Sequence, residues 1–112
     1  MSEYKGFHHI FYQASKKSKP WAIEISANVN LESGIIQDLE VCIYSEHLDG
    51  TVRFYSSDKN FNFLGACRFA WGRLIALANK TEKMTALASD YDIFSSDFSQ
   101  EYDKIMLEGN RL

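Results

Sequence analysis

Apolar and polar residues alternate with a period of two through the first half of the chain. In WAIEISANVN, residues 21–30, apolar side chains occupy every odd position from Trp21 to Val29, and the even positions are mainly polar. Such alternation is typical of a β-strand with one buried face. Residues 38–45 and 51–56 continue the pattern, with the inward positions Leu39, Val41, Ile43, Val52 and Phe54.

Two further features join these segments into a sheet. Asp49 and Gly50 separate the last two strands, and a glycine that tolerates positive φ favours a hairpin there. Before all three strands, GFHHIFYQAS (residues 6–15) is rich in aromatic and β-branched residues, which favour strands. The polar loop KKSKP connects this segment to the next strand. We therefore expect a four-stranded antiparallel meander in the N-terminal half.

The period changes to that of a helix along residues 61–80, after a predicted N-cap at Ser57 or Asp58. At roughly 100° per residue, one side of this helix is an uninterrupted apolar arc of about 160°. The arc contains Phe63, Leu64, Cys67, Ala70, Trp71, Leu74, Ile75, Leu77 and Ala78. We expect this arc to pack on the sheet, with Cys67 as an inert buried thiol and Trp71 as a packing residue.

The opposite side of this helix is unusual because it is neither charged nor bulky. Its residues are Gly65, Gly72 and Ala76 almost in line, with Phe69 beside them and Arg68 and Arg73 on the flanks. A glycine inside a helix costs about 0.5–1 kcal/mol relative to alanine, so two of them suggest the close approach of another element. Either the C-terminal helix packs there, or a groove is left open for a partner or for a second copy of the chain.

The last segment, residues 95–110, predicts a second and shorter helix. Ser95 or Ser96 is the expected N-cap, and the apolar stripe consists of Phe98, Tyr102, Ile105 and Met106. Two alternatives remain for the preceding segment: Met84, Leu87, Ala88 and Tyr91 suit another helical turn or two, whereas residues 89–97 resemble a loop that enters this helix. The predicted fold is therefore α+β: a four-stranded antiparallel meander packed on one long helix, with a shorter C-terminal helix, in one domain of 112 residues.

Composition supports a single core, since 46% of the residues are apolar and 14% are aromatic. Cys42 and Cys67 lack the spacing of a metal site, and no secretion signal or bilayer-length apolar run is present. We therefore expect a cytoplasmic protein with free thiols, no cofactor and no membrane partner.

Charge is distributed unevenly along the chain, although the net charge is only −3. Residues 1–30 carry four lysines against two glutamates, whereas residues 81–112 carry seven acidic residues against three basic ones. Such asymmetry steers association with charged partners, but most charge runs are solvated faces.

Candidate catalytic and metal-binding residues do not converge in the sequence. His8 and His9 are adjacent on a predicted strand, so they point to opposite faces. Asp90 and Asp92 flank a tyrosine, but the segment lacks the turn glycine of a calcium loop. Cys42 needs a histidine neighbour from the first strand to act as a nucleophile. We predict no enzyme activity, no catalytic residue and no metal site.

The first hypothesis is therefore a small acidic protein-binding module. Interface cores are rich in aromatic residues and arginine, which the back of the long helix supplies. The predicted partner-binding residues are Arg68, Phe69, Gly72, Arg73, Asp90 and Asp92. By analogy of size and charge, such a protein acts by occluding a macromolecular partner, as inhibitors, immunity proteins and phage-type anti-defence proteins do. A homodimer is the other form that this interface allows.

The second hypothesis is an RNA- or single-stranded-DNA-binding accessory protein that uses the outer face of the sheet, since bases stack on exposed aromatic residues. Its residues are Tyr44, Arg53 and Tyr55, one side of the first strand, and the loop lysines Lys16, Lys17 and Lys19. Against this hypothesis, Glu24 and Glu40 share the face, and an acidic domain with a pI near 5.5 lacks the phosphate-binding charge that supplies most nonspecific affinity.

Overall fold

In the computed structural model, residues 6–15, 21–56, 59–81, 84 and 88–110 are described. The elements are β1 (Phe7–Ser15), β2 (Trp21–Asn30), β3 (Ile36–Ser45), β4 (Val52–Ser56), α1 (Phe63–Lys80) and α2 (Ala88–Asn110). Each strand pairs antiparallel with the next, in the spatial order β1-β2-β3-β4. The predicted α+β fold with a four-stranded meander is confirmed.

The inner face of the sheet forms one side of the core, as the alternating pattern predicted. The buried residues along β2 are Trp21, Ile23, Ile25, Ala27 and Val29. In β3, Leu39, Val41 and Ile43 are fully buried. In β1, Ile10 and Tyr12 are buried, so Phe7, His9 and Phe11 lie on the outer face.

Local backbone features set the positions of the strands. Gly50, in the β3–β4 turn, has a φ of 93°, which confirms the predicted role of the glycine in this hairpin. Near the start of β3, the register with β2 shifts between Ser26 and Asn28, and Asp38 has a φ of 55°. This irregularity changes the parity of the strand, so that Ile36 and Leu39 both face the core.

Helix α1 begins later than predicted because a different residue caps it. The side chain of Asn62 accepts a hydrogen bond from the backbone N–H of Gly65 at 2.7 Å, which is the usual N-cap contact. The predicted caps, Ser57 and Asp58, lie outside the described residues. Just before the cap, Phe61 exchanges two backbone hydrogen bonds with Ile36, at 2.7 and 2.9 Å, and so continues the edge of the sheet beyond β4.

The buried side of α1 is rotated relative to the predicted arc. The residues of α1 that are fully buried are Ala66, Cys67, Ala70 and Leu74. Leu64, placed inside the predicted core arc, is 48% exposed, whereas Ala66, outside that arc, is buried completely. The apolar pattern records hydrophobicity and not contact with the rest of the core, and Ala66 belongs to the buried core cluster.

Helix α2 is longer than α1, with 23 residues against 18, so the expectation of a shorter C-terminal helix is wrong. It begins at Ala88, and the predicted caps Ser95 and Ser96 lie within it. The hydroxyl of Ser95 donates to the backbone carbonyl of Asp92, 3.2 Å away, as serine does inside helices. Tertiary packing of Phe94 outweighs the weak helix propensity of this segment.

Aromatic rings join the two helices to the sheet. Trp71 of α1 lies 5.7 Å from Phe94 of α2 and 5.9 Å from Trp21 of β2, measured between ring centroids. Tyr12 of β1 lies 5.5 Å from Phe98, which also stacks on Phe63 at 5.1 Å. Within the described part of the chain, neither helix is long and apolar enough to span a membrane.

Candidate functional site

The back of α1 is not covered by α2. Of the two alternatives drawn from the sequence, packing of the C-terminal helix on this side is therefore wrong. Helix α2 packs against β1 and against Phe63 and Trp71, on the side of α1 that also faces the core. Gly72 is exposed, and a Cβ atom built on it has no neighbouring atom within 4 Å. Gly65 has a different environment, because its Cβ would lie 3.1 Å from the capping oxygen of Asn62.

The first surface depression, which we call the helix groove, lies between the two helices and has a volume of about 650 Å³. Its lining residues are Leu64, Arg68, Trp71, Gly72, Tyr91 and Asp92. Leu64 is 48% exposed here, and Arg68 and Asp92 place opposite charges on its two walls. The helix groove is therefore an apolar depression with a polar rim.

The floor of the helix groove is held rigidly. Trp71 is in ring contact with Tyr91 at 5.5 Å, with Phe94 at 5.7 Å and with Trp21 at 5.9 Å. Because these contacts come from α2 and from the sheet, the indole has little freedom to move into the open space. The groove is thus preformed, which lowers the conformational cost of binding.

The second depression, which we call the basic cleft, lies on the opposite flank of α1, beside β4, and has a volume of about 440 Å³. Its lining residues are Arg53, Phe54, Tyr55, Ser56, Lys59, Phe69 and Arg73. Phe69 is half-buried and packs against Phe61, with ring centroids 5.4 Å apart. Removing its ring would therefore disturb the fold as well as the surface.

The structure divides the predicted partner-binding residues between these two depressions. Arg68, Gly72 and Asp92 come together in the helix groove, whereas Phe69 and Arg73 line the basic cleft. Asp90 is only 5% exposed and belongs to neither depression.

Sequence reasoning missed several residues of both depressions. In the helix groove, Leu64 and Trp71 were assigned to the core, and Tyr91 was assigned to no surface. The position of Leu64 near the edge of the apolar arc was the one signal that pointed to exposure. For Lys59 in the basic cleft, nothing in its local pattern pointed to a site.

The alternative nucleic-acid face is only partly assembled. Tyr44 donates its hydroxyl to a carboxylate oxygen of Glu24 at 2.8 Å, whereas Arg53 and Tyr55 line the basic cleft. The pairing places Glu40 directly beside Tyr55 across β3 and β4, so carboxylates occupy the middle of the outer face. The predicted loop lysines, Lys16, Lys17 and Lys19, lie outside the described residues.

The candidate nucleophile Cys42 lies on the outer face, as predicted, but is only 5% exposed. Burial is the main cause that raises the pKa of its thiol; nearby Arg53 acts in the opposite direction. Strand β2 separates it from the histidines of β1, of which His9 forms a hydrogen bond with Ser26 at 3.3 Å. A cysteine whose pKa is raised by burial forms little thiolate at neutral pH.

Cys67 fits the sequence prediction of an inert core thiol. It is fully buried, and burial raises its pKa to about 12. In the parts of the chain that the structure describes, no three histidine, cysteine or acidic side chains are grouped as metal ligands would be.

Compared with known proteins, the chain matches no protein-family profile, no curated protein sequence and no solved structure.

Proposed function

We propose that the chain is a protein-binding module and that its partner docks in the helix groove. The observation that carries this proposal is the combination of an exposed Leu64 with an open backbone at Gly72 over a rigid Trp71. Large apolar side chains exposed in a concave depression are characteristic of interaction sites.

The charges at the rim define the chemistry of the partner. Arg68 and Asp92 lie on different helices, on the two walls of the helix groove. A complementary partner segment presents a large apolar side chain to Leu64 and Trp71, an acidic residue to Arg68 and a basic residue to Asp92. This arrangement fixes the direction in which the segment lies along the groove.

The proposed mode of action is occlusion of the partner's own site. A specific interface buries about 800 Å² on each partner, and this chain has a total accessible surface of 7033 Å². Roughly a tenth of its surface is therefore sufficient, and the rest of the molecule blocks access to the neighbouring surface of the partner. This mode needs binding geometry but no chemical step.

A variant that fills the groove tests the proposal. Gly72→Leu places a side chain in space that is empty in the structure, and it also removes a glycine from a helix interior, so the fold should be retained. The matched control is Ala76→Leu, which adds the same side chain one turn further along the exposed back and outside the groove.

The measurement is nuclease-treated affinity capture from source cells, followed by titration of the purified partner against all three proteins. We expect the native chain and Ala76→Leu to bind equally well and Gly72→Leu to lose at least about tenfold in affinity. If the captured partner is the chain itself, sedimentation should show a dimer that Gly72→Leu dissociates. Equal binding by all three proteins, or capture that disappears with nuclease, would reject the helix groove as the interface.

A further inference from the structure

Three cationic side chains from three different segments converge on the basic cleft. Arg53 comes from β4, Lys59 from the connection that follows it, and Arg73 from the middle of α1. Among the described residues, the single acidic side chain paired with any of them is Glu40, whose oxygen lies 3.7 Å from Arg53. The cleft therefore carries an excess of positive charge in a chain whose net charge is negative.

Arg73 is oriented by two aromatic rings. Its guanidinium carbon lies 5.0 Å from the ring centroid of Phe54 and 5.1 Å from that of Phe69. Cation–π contacts of this kind involve the ring faces, so the N–H donors of the guanidinium stay available for an anion. A planar fork of donors held in place suits the oxygens of a phosphate group.

Tyr55 adds an exposed aromatic ring to the same cleft. It is 62% exposed, and its neighbour on the strand, Arg53, is one of the three cations. Nucleobases stack on such exposed rings whatever their sequence, because every base has a π face. The volume of about 440 Å³ is in the size range of small-molecule sites.

We propose that the basic cleft binds a nucleotide unit, with its phosphate against Arg53, Lys59 and Arg73 and its base stacked on Tyr55. A phosphate and an aromatic base within one ligand account for both features of the cleft, whereas an acidic peptide uses only the cations. This site shares Arg53 and Tyr55 with the predicted nucleic-acid face, but Lys59 and Arg73 take the place of Tyr44 and the loop lysines. It also lies on the opposite flank of α1 from the helix groove.

The test is fluorescence titration of the full chain with an oligouridine of about eight nucleotides, with uridine monophosphate, and with an acidic peptide of the same charge. Variants are Tyr55→Leu, Lys59→Gln and Arg73→Gln, and the control is Arg68→Gln, an exposed arginine of α1 outside the cleft. Lys59→Gln should leave the fold intact, because exposed Lys59 makes no ion pair within the described residues. A loss of affinity in this variant therefore reports on the cleft and not on misfolding.

We expect the oligonucleotide to lose about tenfold in affinity with Tyr55→Leu and to be unaffected by Arg68→Gln. For the oligonucleotide, the slope of log affinity against log salt should be about −0.7, which corresponds to one neutralised phosphate on a single strand, and Lys59→Gln and Arg73→Gln should each reduce its magnitude. If the monophosphate binds as tightly as the oligonucleotide, the ligand is a free nucleotide; if only the oligonucleotide binds, it is a strand.

Three outcomes would overturn the proposal. One is the absence of binding to either nucleotide ligand at low salt, and a second is an equal loss of affinity in Arg68→Gln and Arg73→Gln. The third is tight binding of the acidic peptide with no effect of Tyr55→Leu, which would identify the cleft as a peptide site.

Discussion

A single tyrosine ties the last helix to the turn between β2 and β3. The hydroxyl of Tyr102 donates to the backbone carbonyl of Gly34 at 2.6 Å. Gly34 has a φ of 77°, and a Cβ atom built on it would lie 2.5 Å from the same hydroxyl oxygen. This position therefore requires glycine for two reasons, its backbone conformation and the close approach of the phenol.

Substitution of Gly34 should separate these two reasons. We expect Gly34→Ala to lower the free energy of unfolding by about 1–3 kcal/mol, and Tyr102→Phe to lower it by about 1 kcal/mol through the lost hydrogen bond. In the double variant the clash disappears because the hydroxyl is gone, so the combined loss should be smaller than the sum of the two. Urea unfolding of the four proteins measures this; strictly additive losses would show that only the backbone conformation matters.

Within α1, the two glycines serve different purposes although the sequence shows them as an equivalent pair. Gly72 has open space above it, whereas Gly65 lies against the capping side chain of Asn62. Only the first of them is free to accept a side chain without moving a neighbour. The helix groove thus depends on Gly72, and the start of the helix depends on Gly65.

Alanine substitution should distinguish the two glycines. Gly72→Ala is expected to raise the free energy of unfolding by about 0.5–1 kcal/mol, because it restores helix propensity at no steric cost. Gly65→Ala should gain less, because the added methyl crowds the cap at 3.1 Å. Thermal unfolding followed by circular dichroism gives the comparison; an equal gain at both positions would contradict the assigned role of Gly65.

The elements that sequence predicted well are those whose pattern depends on one burial face. Strand β2 has the predicted bounds, because its alternation from Trp21 to Val29 reports directly on a single buried side. Helix α2 began earlier than predicted, because Phe94 and neighbouring rings pack on residues distant in sequence, and local propensity does not record such contacts. The two depressions escaped prediction for the same reason, since each combines side chains from separate elements.

At the scale of the whole molecule, a buried thiol and a buried phenol make the stability of the fold sensitive to alkaline pH. Burial raises the pKa of Cys67 from 9.0 to about 12, and burial with nearby Asp97 raises the pKa of Tyr12. A raised pKa means that the folded state holds its proton more tightly than the unfolded state. The contribution of the protonated Cys67 thiol to the free energy of unfolding is therefore fully present below pH 9 and is lost as the pH rises from 9.0 towards 12.

We expect the free energy of unfolding to be little changed by these groups up to pH 9 and then to fall, by about 1.4 kcal/mol per pH unit for each such group. The tyrosines should steepen this fall above their ordinary pKa of 10.0. Cys67→Ala is the control, and its stability should fall less than that of the native chain between pH 9 and 10. Identical pH profiles from urea titrations would show that Cys67 does not carry the effect.

The packing of β1 on α2 also has a consequence for how the protein is made. Tyr12 in β1 packs against Phe94 and Phe98 in α2, so the first strand and the last helix together form one part of the core. During translation, at about 5–20 residues per second, the apolar face of the meander exists before its cover does. Until the 23 residues of α2 leave the ribosome, the part of that face on β1 is open to chaperones and to neighbouring nascent chains.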